Sequence, residues 1–308
     1  MDVTPNTRAQ IFQGFWHGRP LNPILLACLR SFIERGHEFH LYTYDDIRVP
    51  AGVKVKSAEA VLPLECMFNF PNPDTEVIDF GPFSDLFRFK LLTLKGGWWS
   101  DVDCLCLSSH IPNFERAWAR ECPECSPGAV GSSQIAFRKD DPIARELFNR
   151  CSAKLEIGFN KREDLGPHLI SAVINELGLP TDMGGTPEQF YPLRWIEMFK
   201  LWLPQFHDEV ADKARRAYFM PIYQSFALYS GLSLERPPPK GSFLDSVCTE
   251  FSAEFEGQVR STEEEIVASI RRFFQRKSNW AIDELVAVSG ADVLTQIGLP
   301  RAPDVKTA

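Results

Sequence analysis

Phe83-Ser84-Asp85-Leu86-Phe87-Arg88-Phe89-Lys90-Leu91-Leu92-Thr93-Leu94-Lys95-Gly96-Gly97-Trp98-Trp99-Ser100-Asp101-Val102-Asp103-Cys104-Leu105-Cys106-Leu107 decides how this chain is read. It divides into a helical segment, a Gly-Gly break, an aromatic pair and two aspartates one residue apart. On an extended backbone, side chains two residues apart leave the same face, so one metal ion or phosphate–metal group can touch both Asp101 and Asp103. Hard carboxylate oxygens suit Mg²⁺ or Mn²⁺, which keep positions open for substrate phosphates. Ser84 is expected to cap the helix and Gly96-Gly97 to end it. Leu86, Phe87, Leu91 and Leu94 suit a heavily buried segment. Asp85 and Arg88 stand three apart on one helix face. They read either as an ordinary ion pair, worth a few tenths of a kcal/mol, or as two groups aimed into a pocket to hydrogen-bond hydroxyls.

Upstream, Gln10–Trp16 reads as a strand ending in the aromatic pair Phe15-Trp16, followed by a His17-Gly18-Arg19-Pro20 turn. Asn22-Pro23 opens a helix that stops at Gly36, and Phe39–Tyr44 forms a second strand. Strand, helix and strand at this spacing make a βαβ unit with parallel strands. Trp16 lies at a strand's C-terminal end, where open α/β sheets place ligands. Residues 45–82 read as irregular, with a short helix near Ser57–Leu62. Downstream, Ala129–Gly131 and Gln134–Phe137 read as strand. Asp141-Pro142 starts a helix running to about Lys154, and Gly166-Pro167 lies at the start of another running to Leu177. Pro237–Ser242 marks a boundary, with Lys240 and Ser242 read as a linker or a lid. After it, Ser261-Thr262-Glu263-Glu264 reads as a capping box before an amphipathic helix. The expected division is a catalytic α/β domain over 1–236 and a helical extension over 237–308.

The 308 residues carry a net charge of −8 without a long basic run, which argues against a nucleic-acid partner. No apolar run is long enough to span a bilayer and the N-terminus has no signal-peptide character, so the expected location is cytoplasmic, with peripheral membrane contact left open. The eight cysteines do not suggest a disulfide framework. Cys104, Cys106, Cys122 and Cys125 have a spacing that admits a zinc site, against which stands the reading of Cys104 and Cys106 as small apolar residues of a buried strand.

Ser84–Phe89 followed by Gly96–Asp103 resembles the core signature of DXD-motif glycosyltransferases with a sugar-binding region. That group comprises α-1,4-galactosyltransferase-like and yeast mannosyltransferase-like enzymes and, more distantly, the clostridial toxin glucosyltransferases. The resemblance implies a GT-A α/β fold, with a central, mostly parallel sheet flanked by helices and with C-terminal helices. It implies a nucleotide-sugar donor, a saccharide or other hydroxyl acceptor, retention of configuration, and Mn²⁺ or Mg²⁺ as cofactor. Trp16 would stack the base, Asp85 and Arg88 would bind hydroxyls of the donor sugar, Asp101 would contact ribose or sugar and help place the metal, and Asp103 would be the principal metal ligand. Phe15, Ser84, Gly97, Gly166 and Gln224 complete the implied donor-binding set, and Phe190–Trp195 matches a packing segment of the family. The chain departs from the pattern at Pro221-Ile222-Tyr223-Gln224, where the family carries a His and an Asn. Asp182 and His207 are candidates to replace them. Two alternatives stay open: a non-catalytic nucleotide-sugar-binding relative, and a toxin-like effector that glycosylates a protein. The sugar, the base, the acceptor and the oligomeric state are not legible.

Overall fold

The computed structural model describes residues 9–70, 79–122, 129–277 and 279–299. The chain forms two compact units, one comprising residues up to Pro192 with Lys213–Pro221, the other Leu193–Asp212 with the residues from Ile222 onward.

The first unit opens with strand β1 (Ile11–Phe15), helix α1 (Pro23–Glu34), and strands β2 (Glu38–Thr43) and β3 (Lys54–Ser57). Asn22 caps α1 by accepting the Leu25 N–H at 3.0 Å, and Pro23 supplies a preset first turn, as the sequence suggests. β1 and β2 pair in parallel, which completes the expected βαβ unit. Helix α2 (Gly81–Lys95) and strands β4 (Gly97–Ser100) and β5 (Cys104–Cys106) follow. Next come β6 (Arg116–Ala117), β7 (Arg120–Cys122), β8 (Ala129–Val130) and β9 (Gln134–Phe137). The unit closes with α3 (Pro142–Ile157), α4 (Pro167–Glu176), the one-turn α5 (Pro187–Phe190) and β10 (Phe219–Pro221).

The central sheet has six strands in the order β3-β2-β1-β4-β9-β6. β3, β2, β1 and β4 run parallel, β9 runs against β4, and β6 runs against β9. Five of the six strands therefore point the same way, which is the mostly parallel α/β arrangement expected. Period-two alternation splits the aromatic pair between the sheet's two faces. Trp98 packs on Phe12 and Phe219 at centroid separations of 5.6 and 5.4 Å. Trp99 turns to the opposite face, toward Phe87 of α2. Phe32 of α1 covers the first face against Phe12, and Phe83 and Phe87 of α2 cover the second against Phe15. Helices thus flank the sheet on both sides and fill it with aromatic rings.

Two local expectations change. The helix around Asp85 begins at Gly81-Pro82, so Ser84 lies within its first turn and is not its cap. Residues 54–57, expected to be irregular, form the edge strand β3, and a 3-10 turn, Ala58–Ala60, stands where the short helix near Ser57–Leu62 was expected.

The second unit is helical. It contains a 3-10 segment (Trp195–Trp202), most of α6 (His207–Ala214), then α7 (Gln224–Ser230), α8 (Phe243–Glu250), α9 (Glu263–Arg276), α10 (Asn279–Ser289) and α11 (Asp292–Gln296). Trp195, Phe226 and Phe273 form an aromatic knot in it. Glu197 and Lys200 are both buried and paired at 2.8 Å, with Glu209 and Ser289 completing the network. The capping box is Thr262 with Glu265, one residue later than the sequence suggests. Ser242 is wholly buried and caps α8 through the Asp245 N–H, which fixes the end of the Pro237–Ser242 stretch as packed chain. Among the described residues no helix is long and apolar enough to cross a membrane.

Candidate functional site

The parallel strands β1, β2 and β4 deliver their C-terminal ends to one edge of the sheet, the edge at which open α/β sheets bind ligands. Trp16 follows β1 there. Its N–H extends the ladder to the Tyr42 carbonyl at 3.0 Å, and its indole N–H donates to the Arg19 carbonyl at 2.6 Å. Asp45, after β2, accepts from His17 Nδ1 at 2.8 Å and from the Gly18 N–H at 2.9 Å, so the loop after β1 is held to the loop after β2. Phe15 is buried in the aromatic cluster with Tyr44, Phe83 and Phe87.

Asp101, Val102 and Asp103 follow β4 at the same edge. They form the turn into β5 and not a strand, so the period-two argument from the sequence does not apply to them. Another device produces a similar outcome: Val102 is buried while Asp101 and Asp103 are both half-exposed, so the turn is anchored at its centre and shows two carboxylates to its surroundings. Asp101 is held on several sides. Its N–H donates to the Ser133 carbonyl at 3.0 Å, and its carbonyl accepts from Ser100 Oγ at 3.1 Å. Its Oδ1 accepts from Trp99 Nε1 at 2.7 Å and from Arg88 Nη2 at 3.0 Å.

Arg88 and Asp85 both project from α2 toward this turn and form the expected i,i+3 pair, with Nη1 and Oδ1 3.3 Å apart. Arg88 Nη1 also donates to the Ser132 carbonyl, and its guanidinium carbon lies 4.9 Å from the Trp99 ring centroid. The Asp85 carboxylate packs against Gly166, where a Cβ would lie 2.6 Å from each of its oxygens. Only glycine permits that approach, which gives Gly166 a role that its sequence position alone does not reveal. Burial raises the Asp85 pKa from 3.8 to about 6, against the opposing pull of the Arg88 and Arg162 charges.

The structure therefore brings Asp85, Arg88, Asp101 and Gly166 together, and places Trp16 and Asp103 at the same edge. Ser84 is half-buried on α2 beside Asp85. Gly97 opens β4 and so lies at the other edge of the sheet from the Asp101 turn. Gln224 opens α7, and His207 opens α6, where it meets Asp208 and Ser246; both belong to the second unit. Asp182 is taken up by Arg120, which donates to it from its backbone N–H and from Nε, both at 2.8 Å. The four-cysteine zinc reading also falls. Cys122 is disulfide-bonded and offers no thiolate, and Cys125 lies outside the described residues. Burial pushes the Cys104 thiol well above its ordinary pKa and the Cys106 thiol up to about 12, which keeps both protonated.

The parts that Trp99, Ser132, Ser133 and Tyr191 play around Asp101 escape the sequence reading. The Tyr191 hydroxyl accepts from the Gln134 N–H at 3.3 Å and from Ser133 Oγ at 3.4 Å, and so braces the strand turn that holds Asp101. Only Trp99 leaves a signal in the sequence, because alternation along β4 puts it on the α2 side, two residues before Asp101.

The donor chemistry of the turn fits a hard divalent cation. Mg²⁺ and Mn²⁺ are commonly held by one or two carboxylates, with phosphate and water oxygens filling the remaining positions. Asp101 and Asp103 supply two such carboxylates. Among the described residues no group of three His, Cys, Asp or Glu is arranged for a metal.

The chain matches no protein-family model and no curated protein. In structure it is similar to PaToxG Glycosyltransferase, with a TM-score of 0.41 and 12% identity over 55% of this chain and 69% of that one. A likeness of this extent carries no argument about what the chain does, and the functional reading rests on the residues themselves.

Proposed function

We propose that this chain is a metal-dependent, retaining glycosyltransferase of the GT-A type. It moves a hexose from a nucleoside-diphosphate sugar, UDP-linked in preference to GDP-linked, to a hydroxyl of a saccharide or other acceptor. The observation that carries the reading is the turn after β4. A carboxylate fixed by two buried donors and a second carboxylate two residues on stand at the ligand-binding edge of the sheet.

In this reading the half-exposed Trp16 ring offers an aromatic face to the base. Asp85 and Gly166 bound the sugar end of the site, and Asp101 and Asp103 are the residues that would hold the cation. When bound, Mg²⁺ or Mn²⁺ offsets the negative charge that develops on the departing nucleoside diphosphate. The bond between the anomeric carbon and the diphosphate oxygen breaks, and a bond from the acceptor oxygen to that carbon forms on the same face. The acceptor proton leaves with the diphosphate. The chain's own residues contribute fixed orientation, which converts binding into a near-attack arrangement. The signature shared by Ser84–Phe89 and Gly96–Asp103 supports the same assignment.

A panel of UDP- and GDP-sugars with MnCl₂, scored by release of nucleoside diphosphate, tests the proposal. We expect at least one donor to turn over in the wild type, with loss of that turnover in Asp103→Asn. Binding of a nucleoside diphosphate without turnover of any donor would favour a non-catalytic binding protein.

A further inference from the structure

We infer that Trp99 is a positioning residue, which acts with Arg88 through the Asp101 carboxylate and itself touches no substrate. The inference rests on the proposed reading of the Asp101 turn as a metal–diphosphate site, and it concerns how this chain presents that carboxylate.

Both side-chain donors converge on one oxygen. Trp99 Nε1 and Arg88 Nη2 reach Asp101 Oδ1 at 2.7 and 3.0 Å. Trp99 is wholly buried and the Arg88 side chain is 4% exposed, whereas the Asp101 side chain is 29% exposed. The two donors therefore stand behind the carboxylate, and only Asp101 reaches the open side. Arg88 is held within the protein through its two terminal nitrogens, while its buried Nε has no partner among the described residues. Nη1 meets the Ser132 carbonyl and Asp85, Nη2 meets Asp101, and the guanidinium lies over the Trp99 ring. Trp99 thus acts twice, once through its N–H on Asp101 and once through its ring face on the group that makes the second bond.

The backbone of the same residue is pinned too. The Ser133 carbonyl takes the Asp101 N–H, and Ser100 Oγ, itself a hydrogen-bond acceptor for Gln134 Nε2 at 2.8 Å, donates to the Asp101 carbonyl. With its backbone and Oδ1 both held by hydrogen bonds, the carboxylate is restrained in orientation, and these bonds leave its Oδ2 uncommitted. Donors behind a ligating carboxylate orient it and tune its basicity, and their loss weakens metal binding roughly 10- to 100-fold. The Arg88 expected from the sequence to bind sugar hydroxyls is, in this arrangement, part of the support behind Asp101.

Replacing the Trp99 indole by benzothiophene puts sulfur where the N–H was and keeps the ring shape, so hydrogen bonding is separated from packing. Trp99→Phe serves as the encoded counterpart. The probes are MnCl₂ with UDP and MnCl₂ with GDP, followed by the spin-resonance signal of free Mn²⁺. Affinity for the same nucleotides is measured in parallel in EDTA. We expect the isostere to bind Mn²⁺ roughly 10-fold more weakly in the presence of the nucleotide, with nucleotide affinity in EDTA unchanged. Equal Mn²⁺ affinity in isostere and wild type would overturn the inference while leaving the proposed function standing. An equal fall in both affinities would also overturn it, by assigning Trp99 a purely structural role. Wild type that binds no Mn²⁺ with either nucleotide would overturn the metal-site reading and the inference together.

Discussion

Replacing Asp85 by Asn tests whether its carboxyl sits as the structure places it, between a helix start and a guanidinium. The carboxyl side chain is 9% exposed, lies 3.3 Å from Arg88 Nη1 and presses on the Gly166 backbone. Burial dominates, and the pKa rises from 3.8 to about 6. The sign follows from linkage. The folded state binds the proton more tightly than the unfolded chain, so the stabilisation from protonated Asp85 is complete below pH 3.8. It is lost as the pH climbs through about 6. The interval between the two values corresponds to about 3 kcal/mol, at about 1.4 kcal/mol per pH unit. Asparagine keeps the volume and does not titrate. Urea unfolding of wild type and Asp85→Asn at intervals from pH 3.5 to 7.5 reads the effect directly. The variant should gain about 3 kcal/mol on the wild type across that range, with most of the change between pH 4 and 6. A difference that stays flat, or that moves in favour of the wild type as pH rises, would refute the burial argument for Asp85.

Gly166→Ala puts a methyl 2.6 Å from both Asp85 oxygens, and overpacking of this kind should cost about 1–3 kcal/mol in urea unfolding. His37 accepts the Gln10 N–H on Nδ1 at 3.3 Å and faces the Ser108 carbonyl through Nε2 at 2.9 Å, so its neutral form fits the site. Burial lowers its pKa from 6.5, so its contribution is present above pH 6.5 and is lost as the pH falls below; the stability gap between wild type and His37→Gln should narrow over that interval in acid titrations. Lys200→Met removes the buried ammonium that Glu197 and Glu209 share and should destabilise by about 3–5 kcal/mol in urea unfolding.

Much of the scaffold was legible because its signals are local. Asn22-Pro23 and Asp141-Pro142 mark helix starts through a side-chain cap and a preset φ, and both helices begin there. Asp141 is observed capping the Ile143 N–H at 2.9 Å. The strand-like stretches Ile11–Phe15 and Glu38–Thr43 flank the 12-residue helix α1, which supplies the crossover that a parallel pair needs. β3 was not legible, since all four of Lys54-Val55-Lys56-Ser57 are exposed on an edge strand and no buried face imposes a pattern. Ser84 misled as a cap because Gly81-Pro82 had already started the helix, with its first turn fixed by the Pro ring.

The site shows the same divide. The spacing of Asp85 and Arg88 announced their pairing, and the Asp101–Asp103 repeat announced two carboxylates together. What holds them comes from distant segments. Ser132 lies 44 residues from Arg88, and the Tyr191 hydroxyl reaches Gln134 across 57 residues. Gly166, at the start of α4, meets Asp85 of α2 only through tertiary packing. Contacts of this range have no spacing to read, because tertiary packing alone decides them.

The central claim is that the Asp101–Asp103 turn binds a nucleoside diphosphate through a divalent cation. Calorimetric titration of UDP into wild type and Asp103→Asn, each with MnCl₂ and with EDTA, tests it most directly. The expected result is an affinity in the wild type that Mn²⁺ raises at least about 10-fold, and no such rise in Asp103→Asn, because a ligating carboxylate has been removed. UDP affinity that is the same with and without Mn²⁺ in the wild type, or a Mn²⁺ effect that survives in Asp103→Asn, would contradict the claim.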